Sequence, residues 1–298
     1  MNVGLYQTSP KLLDVKTNLE DTIDKINLAK AQGADLVVFP ELSLTGYFVG
    51  VDYHEAALTL DSPEIKQLVR ATKGTAAVVG FIEESRSMRF HNSALVAIDG
   101  SLECVYRKLN LPNYGAFEER KIFAGGNTIP VFRFKGFTIA TLICNDLWHP
   151  ALPYLAATQK AEVFITLFNS SEESMGSEFS NIESWAIINT FYARVFGIHH
   201  ICANRVGNER PYDRRGLDQE AEKQEDEAGM QAFSFWGGSE IIDPFGRTLA
   251  KAKMYATDYI SAEVSRDLIR KKRILMPYLK NDDPHFTLRE LERILKQR

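Results

Sequence analysis

Short, unbroken apolar runs that stop abruptly at a polar or turn-forming residue recur along the 298 residues, and they limit the fold more than any other feature. Leu36-Val-Val-Phe39, Phe137 to Ile143 (broken by Thr138 and Thr141) and Val163 to Leu167 are too short for helices. They are also too continuously apolar for half-solvated strands, so they read as strands buried on both faces. Val3 to Gln7, Ala76 to Ile82, His199 to Ala203, Tyr259 to Val264 and the segment Gly237 to Gly246 read as further strands, the last closed by a turn. His91 to Ile98 and Leu102 to Tyr106 form a hairpin about Asp99-Gly100. Thr17 to Gln32, Pro63 to Lys73, Leu152 to Gln159 and Ile182 to Val195 read as helices. Strands that feed helices thus recur before and after about residue 136. This predicts an α/β fold of two packed sheets with helices outside, in a single domain spanning 1–298.

From about residue 266 the tail is basic, then amphipathic, with Leu288, Leu291, Ile294 and Leu295 on one helical face. That face either packs on its own subunit or forms an arm that reaches a partner. A dense charge run lies between 208 and 230 and reads as a solvated loop.

A net charge of −4 gives no reason to expect nucleic acid or an anionic membrane as partner. Cys104, Cys144 and Cys202 lie far apart without a C-x-x-C, which predicts neither a disulfide framework nor a zinc site. The adjacent pair His199-His200 points to opposite faces of a strand and makes a poor metal site. No run approaches the roughly 18 apolar residues of a membrane helix. The first residues lack the basic and apolar regions of a signal peptide, so a cytoplasmic location is expected.

Three residues stand where chemistry is performed in many α/β proteins, at or just beyond the ends of buried strands. Glu41 follows Leu36 to Phe39, Lys108 follows the hairpin, and Cys144 follows Phe137 to Ile143. Each alone has a bland reading: a loop acid, a solvated strand end and a small buried hydrophobe. Asn145, Asp146 and Pro150 signal a turn opening a helix, which would place the thiol where a helix dipole favours the thiolate.

Phe39-Pro-Glu-Leu-Ser-Leu-Thr-Gly-Tyr47, Tyr106-Arg-Lys-Leu-Asn-Leu-Pro112 and Leu142-Ile-Cys-Asn-Asp-Leu-Trp148 resemble the three catalytic segments of the nitrilase, or carbon–nitrogen hydrolase, superfamily. Ile201 to Gly207 and Gly237 to Gly246 are similar to later landmarks of that family. The resemblance runs from about residue 2 to 265. It implies an α-β-β-α sandwich of two mixed sheets, usually paired as a homodimer or higher homo-oligomer. It also implies Cys144 as nucleophile, Glu41 as proton carrier and Lys108 as oxyanion donor, in a cofactor-free and metal-free reaction on a small-molecule amide. Leu111 to Arg120 resembles the glutaminase domain of NAD synthetase, which makes Glu119 the choice for a second glutamate, with Glu118 the alternative. Tyr114, Asn145 and Asn169 are assigned to substrate binding on the same footing. Asn145-Asp-Leu-Trp148 departs from the Trp-Glu expected of a true nitrilase.

The expectation is therefore a thiol amidohydrolase that cleaves a non-peptide C–N bond of a small linear amide through an acyl-cysteine. An N-carbamoyl amide hydrolase, a glutaminase and a nitrilase remain alternatives within the family. A catalytically silent dimeric binding module is the alternative outside it. A metal hydrolase built on Asp146 and His149 would have too few ligands.

Overall fold

The computed structural model describes residues 1–172, 179–210 and 232–297. The chain begins with β1 (Asn2–Gln7), α1 (Val15–Ala31), β2 (Leu36–Val38), α2 (Pro63–Ala71), β3 (Ala76–Glu84), β4 (Phe90–Ile98) and β5 (Ser101–Arg107). It continues through α3 (Glu119–Ile122), β6 (Val131–Phe134), β7 (Phe137–Ile143), α4 (Ala151–Thr158), β8 (Val163–Phe168) and α5 (Asn181–Phe196). The remaining strands are β9 (His199–Asn204), β10 (Val206–Glu209), β11 (Phe233–Trp236), β12 (Glu240–Ile242), β13 (Thr248–Lys251) and β14 (Asp258–Glu263). Three helices follow: α6 (Arg266–Leu275), α7 (Tyr278–Asn281) and α8 (Pro284–Leu295).

Local chemistry sets the ends of these elements. Asp14 accepts from the Thr17 N–H at 3.1 Å to start α1, and Ser62 with Pro63 starts α2. Gly197, at φ 63°, closes α5 in the left-handed region.

Two six-stranded mixed sheets result, in the orders β14-β1-β2-β3-β4-β5 and β13-β12-β9-β8-β7-β6. Each has a parallel centre, β1/β2/β3 in the first and β7/β8/β9 in the second. The alternation of side chains along β2 shows why its sequence is apolar throughout. Leu36 and Val38 join Ile139, Ile143, Ile165 and Ile201 in the core between the sheets. Val37 and Phe39 pack with Leu19 and Ile26 of α1 and Ile65 and Leu68 of α2. The expected α/β sandwich is therefore the observed one, with helices outside two facing sheets.

Two features differ from the sequence reading. The chain is not two consecutive halves, because β14 returns to pair antiparallel with β1 at the edge of the first sheet. Four short strands, β6, β10, β11 and β13, were also not expected. Each has only four residues, the shortest run in which a strand pattern can be read. β10 takes residues 208 and 209 out of the expected charged loop, and residues 211–230 of that loop lie outside the described residues.

In the tail, α6 packs through Ile269. α8 buries none of its residues and leaves Leu288, Leu291 and Leu295 more than half exposed. α6 and α7 thus pack on their own chain more closely than α8 does. No helix among the described residues is long and apolar enough to cross a membrane.

Candidate active site

Glu41 leaves β2 through a main chain folded tightly against β3. A Cβ on Gly80 would lie 2.4 Å from the Leu42 nitrogen and 2.5 Å from the Pro40 carbonyl oxygen, so only glycine admits this turn. The turn carries Glu41 to full burial. There its Oε1 accepts from Asn92 Nδ2 at 2.7 Å and from Lys108 Nζ at 2.8 Å. Its Oε2 accepts from the backbone N–H of Asn169 at 2.7 Å. A buried carboxylate is tolerated only with such a set of donors.

Lys108, just past β5, is also fully buried, and Glu119 Oε1 lies 2.6 Å from its Nζ on the other side. Burial works against the ammonium, but the charges of Glu119 and Glu41 outweigh it and hold Lys108 well above the usual lysine range. Lys108 is therefore a fixed cation. Glu119 opens α3 and also accepts from the Tyr47 hydroxyl at 2.6 Å. Burial pushes its carboxyl up to about 7, with Lys108 opposing and Glu41 adding to the rise. Glu118 points to solvent and pairs with Lys121, so Glu119 is the glutamate that holds the lysine.

Cys144 ends β7 at φ 44°, in the left-handed region that a residue with a Cβ rarely adopts. The expected helix start is absent, because Cys144–Trp148 is a single 3₁₀ turn and α4 begins only at Ala151. The dipole reading therefore fails. Burial raises the thiol well above its usual range, and Glu41 and Glu119 add to the rise. Lys108 and the Asn169 backbone N–H pull the other way. The thiol thus lies under the influence of all three charged groups, with burial the largest effect.

Asp146 fixes the relative placement of the lysine and cysteine segments. Its Oδ1 accepts from the N–H groups of Leu109 at 3.2 Å and Asn110 at 2.8 Å, just beyond Lys108. Its Oδ2 accepts from the Ile143 N–H at 3.0 Å and the Tyr106 hydroxyl at 2.6 Å. These four donors account for its carboxylate without a metal, and His149 is exposed. Among the described residues no three His, Cys, Asp or Glu side chains form a metal-holding group.

Cys144 opens onto a cavity of about 210 Å³. Tyr114, Asn145 and Asn169 all line it, and Tyr114 donates its hydroxyl to Asn145 Oδ1 at 2.6 Å. All seven residues singled out from the sequence thus meet in one region. Sequence reasoning missed Asn92, Tyr47 and the anchoring role of Asp146. The polar triplet His91-Asn-Ser93 leading into the apolar part of β4 was the available signal for Asn92.

The chain matches the carbon-nitrogen hydrolase family model over residues 2–274. It belongs to the carbon–nitrogen hydrolase family. Among its relatives is the glutamine-dependent NAD(+) synthetase of Acinetobacter baylyi, 30% identical over 91% of this chain and 46% of that protein. The chain therefore spans less than half the length of that relative. The N-carbamoylputrescine amidase of Solanum tuberosum is 26% identical over 87% of this chain and 85% of its own. A carbon–nitrogen hydrolase of Helicobacter pylori has a similar solved structure, with a TM-score of 0.79 at 23% identity over 98% of each chain. The chain accordingly has amidase relatives and shares its fold with the solved structure of a carbon–nitrogen hydrolase.

Proposed function

We propose that the protein is a thiol amidohydrolase that cleaves a small linear amide at Cys144 without a cofactor. One observation carries this reading: Glu41 and Lys108 are hydrogen-bonded to each other, and both act on a thiol that opens onto the cavity.

Each step uses a group in place. Glu41 accepts the thiol proton as the sulfur attacks the carbonyl carbon, so the thiolate exists only during attack. Lys108 and the backbone N–H of Asn145 stabilise the oxyanion. Glu41 then gives its proton to the departing nitrogen as the C–N bond breaks, leaving an acyl-cysteine and ammonia or an amine. Water, deprotonated by Glu41, attacks the thioester, and collapse returns the proton to sulfur and frees the acid. Glu119 holds Lys108 in place throughout. A homodimer or higher homo-oligomer and a cytoplasmic location fit the same reading, with α8 presenting an apolar face.

The test combines ammonia release with peptide mapping after iodoacetamide. Cys144 is expected to be alkylated ahead of Cys104 and Cys202, because of the three only Cys144 lines the cavity. Ammonia release from amides should disappear in step with its modification. A fully alkylated Cys144 with undiminished turnover would sink the mechanism. Selective alkylation without turnover of any amide, carbamoyl compound or nitrile would favour a silent binding module.

A further inference from the structure

The chemistry of the cavity wall separates the two sides of a bound amide. The nitrogen must face the proton carrier Glu41, and that side is closed: Glu41 and Lys108 are fully buried and Glu119 nearly so. None of the three lines the open cavity. A leaving group larger than ammonia has no room there, so the acyl substituent is what extends from Cys144 into the cavity.

An aromatic wall receives it. Trp185 stacks on Phe168 with ring centroids 4.6 Å apart. Trp148 meets the edge of Trp185 at 5.7 Å and lies 5.7 Å from Phe179. Tyr114 and Phe117, in edge-to-face contact at 5.9 Å, line the same cavity. The polar groups of the described lining are asparagines, a serine, the Tyr114 hydroxyl and the Cys144 thiol, and no charged side chain is among them. Among the described residues of the lining, none offers an ammonium or carboxylate on the substituent a counter-ion for the water it would lose, whereas an aromatic ring gains edge and face contacts.

We propose that the cavity selects primary amides with an uncharged aromatic acyl substituent, and that Trp148 sets this preference. The proposal rests on the amidohydrolase reading above and names its substrate class. Trp148 follows the reactive cysteine by one 3₁₀ turn, so its indole is placed by the same segment that places the sulfur. Its indole is also exposed, whereas Trp185 is almost fully buried.

The experiment measures ammonia release by the full chain from phenylacetamide, propionamide, L-glutamine and N-carbamoylputrescine. Phenylacetamide should exceed both charged compounds in kcat/KM by at least a hundredfold. Trp148→Ala should raise KM for phenylacetamide about tenfold, at least five times more than it raises KM for propionamide, and Trp148→Phe should recover most of the loss. Turnover that favours glutamine or N-carbamoylputrescine would overturn the proposal and leave the amidohydrolase reading standing. Equal losses on both neutral amides in a folded Trp148→Ala protein would overturn the role of Trp148. Failure to release ammonia from any of the four would overturn the amidohydrolase reading and this proposal together.

Discussion

Asn169 holds Glu41 at two points: its backbone N–H reaches Oε2 at 2.7 Å, and its side-chain amide reaches the main-chain carbonyl of Glu41 at 3.0 Å. Glu41 follows β2 of one sheet and Asn169 follows β8 of the other, so this pair ties the proposed proton carrier to the sheet that bears Cys144. Asn169→Ala removes the second link and leaves a buried carbonyl unpaired, a loss of about 1–3 kcal/mol. The variant should fold with a lower Tm and lose at least tenfold in kcat. Asn169→Asp sets a carboxylate beside Glu41 and should do worse on both counts. Thermal melts and steady-state kinetics on the two variants check the ordering.

Lys108 separates two buried carboxylates. Lys108→Ala should cost at least a hundredfold in rate, because one oxyanion donor contributes about 3 kcal/mol. It also leaves Glu41 and Glu119 without their shared cation, which should reduce stability by roughly 3–5 kcal/mol. Lys108→Ala combined with Glu119→Gln should recover part of the stability and none of the rate. Chemical denaturation and kinetics on the single and double variants separate the two effects.

Glu119 makes stability depend on pH. Burial raises its carboxyl from an ordinary 4.5 to about 7, so between these values the native state holds a proton that the unfolded chain has released. The resulting stability is complete below about pH 4.5 and is lost as pH rises through about 7. Glu119→Gln stays neutral throughout and lacks this component. The Tm of the parent should therefore fall relative to the variant across that window, and a parallel pair of melting curves would refute the assignment.

Asp146 predicts a structural failure with a catalytic consequence. Asp146→Ala leaves the buried Ile143 N–H, the half-buried N–H groups of Leu109 and Asn110 and the Tyr106 hydroxyl without their acceptor, for a loss of roughly 3 kcal/mol or more. It also releases the segment after Lys108 from the strand end before Cys144. At a temperature where the variant remains folded, kcat should still fall severalfold, measurable by kinetics beside a circular-dichroism melt.

The site was legible wherever a residue contradicted its own neighbourhood. Glu41, Lys108 and Cys144 stand out because each ends a strand that is otherwise apolar or regular, and an unused charge there would be costly. Asn92 sits between His91 and Ser93 at the start of a hairpin strand, where polar residues are easily read as facing solvent. Tyr47 and Asp146 act through partners 72 and about 40 residues away, a relationship that no local pattern encodes. The sheet centres were legible from their unbroken apolar runs. The return of β14 to β1 was not, since it depends on pairing across nearly the whole chain. The thiol was misread because the expected helix would have lowered its pKa, whereas the short turn leaves burial to dominate.

The left-handed torsion at Cys144 has a consequence for inactive forms of the protein. A side chain at φ 44° is held against its own preference, at a cost on the order of 1–2 kcal/mol, and glycine in that position would be relaxed. Cys144→Gly should thus yield a dead protein that outlasts the living one on heating. Cys144→Ala, equally dead, keeps the twist and should not outlast it to the same degree. Durability and reactivity compete at this single position.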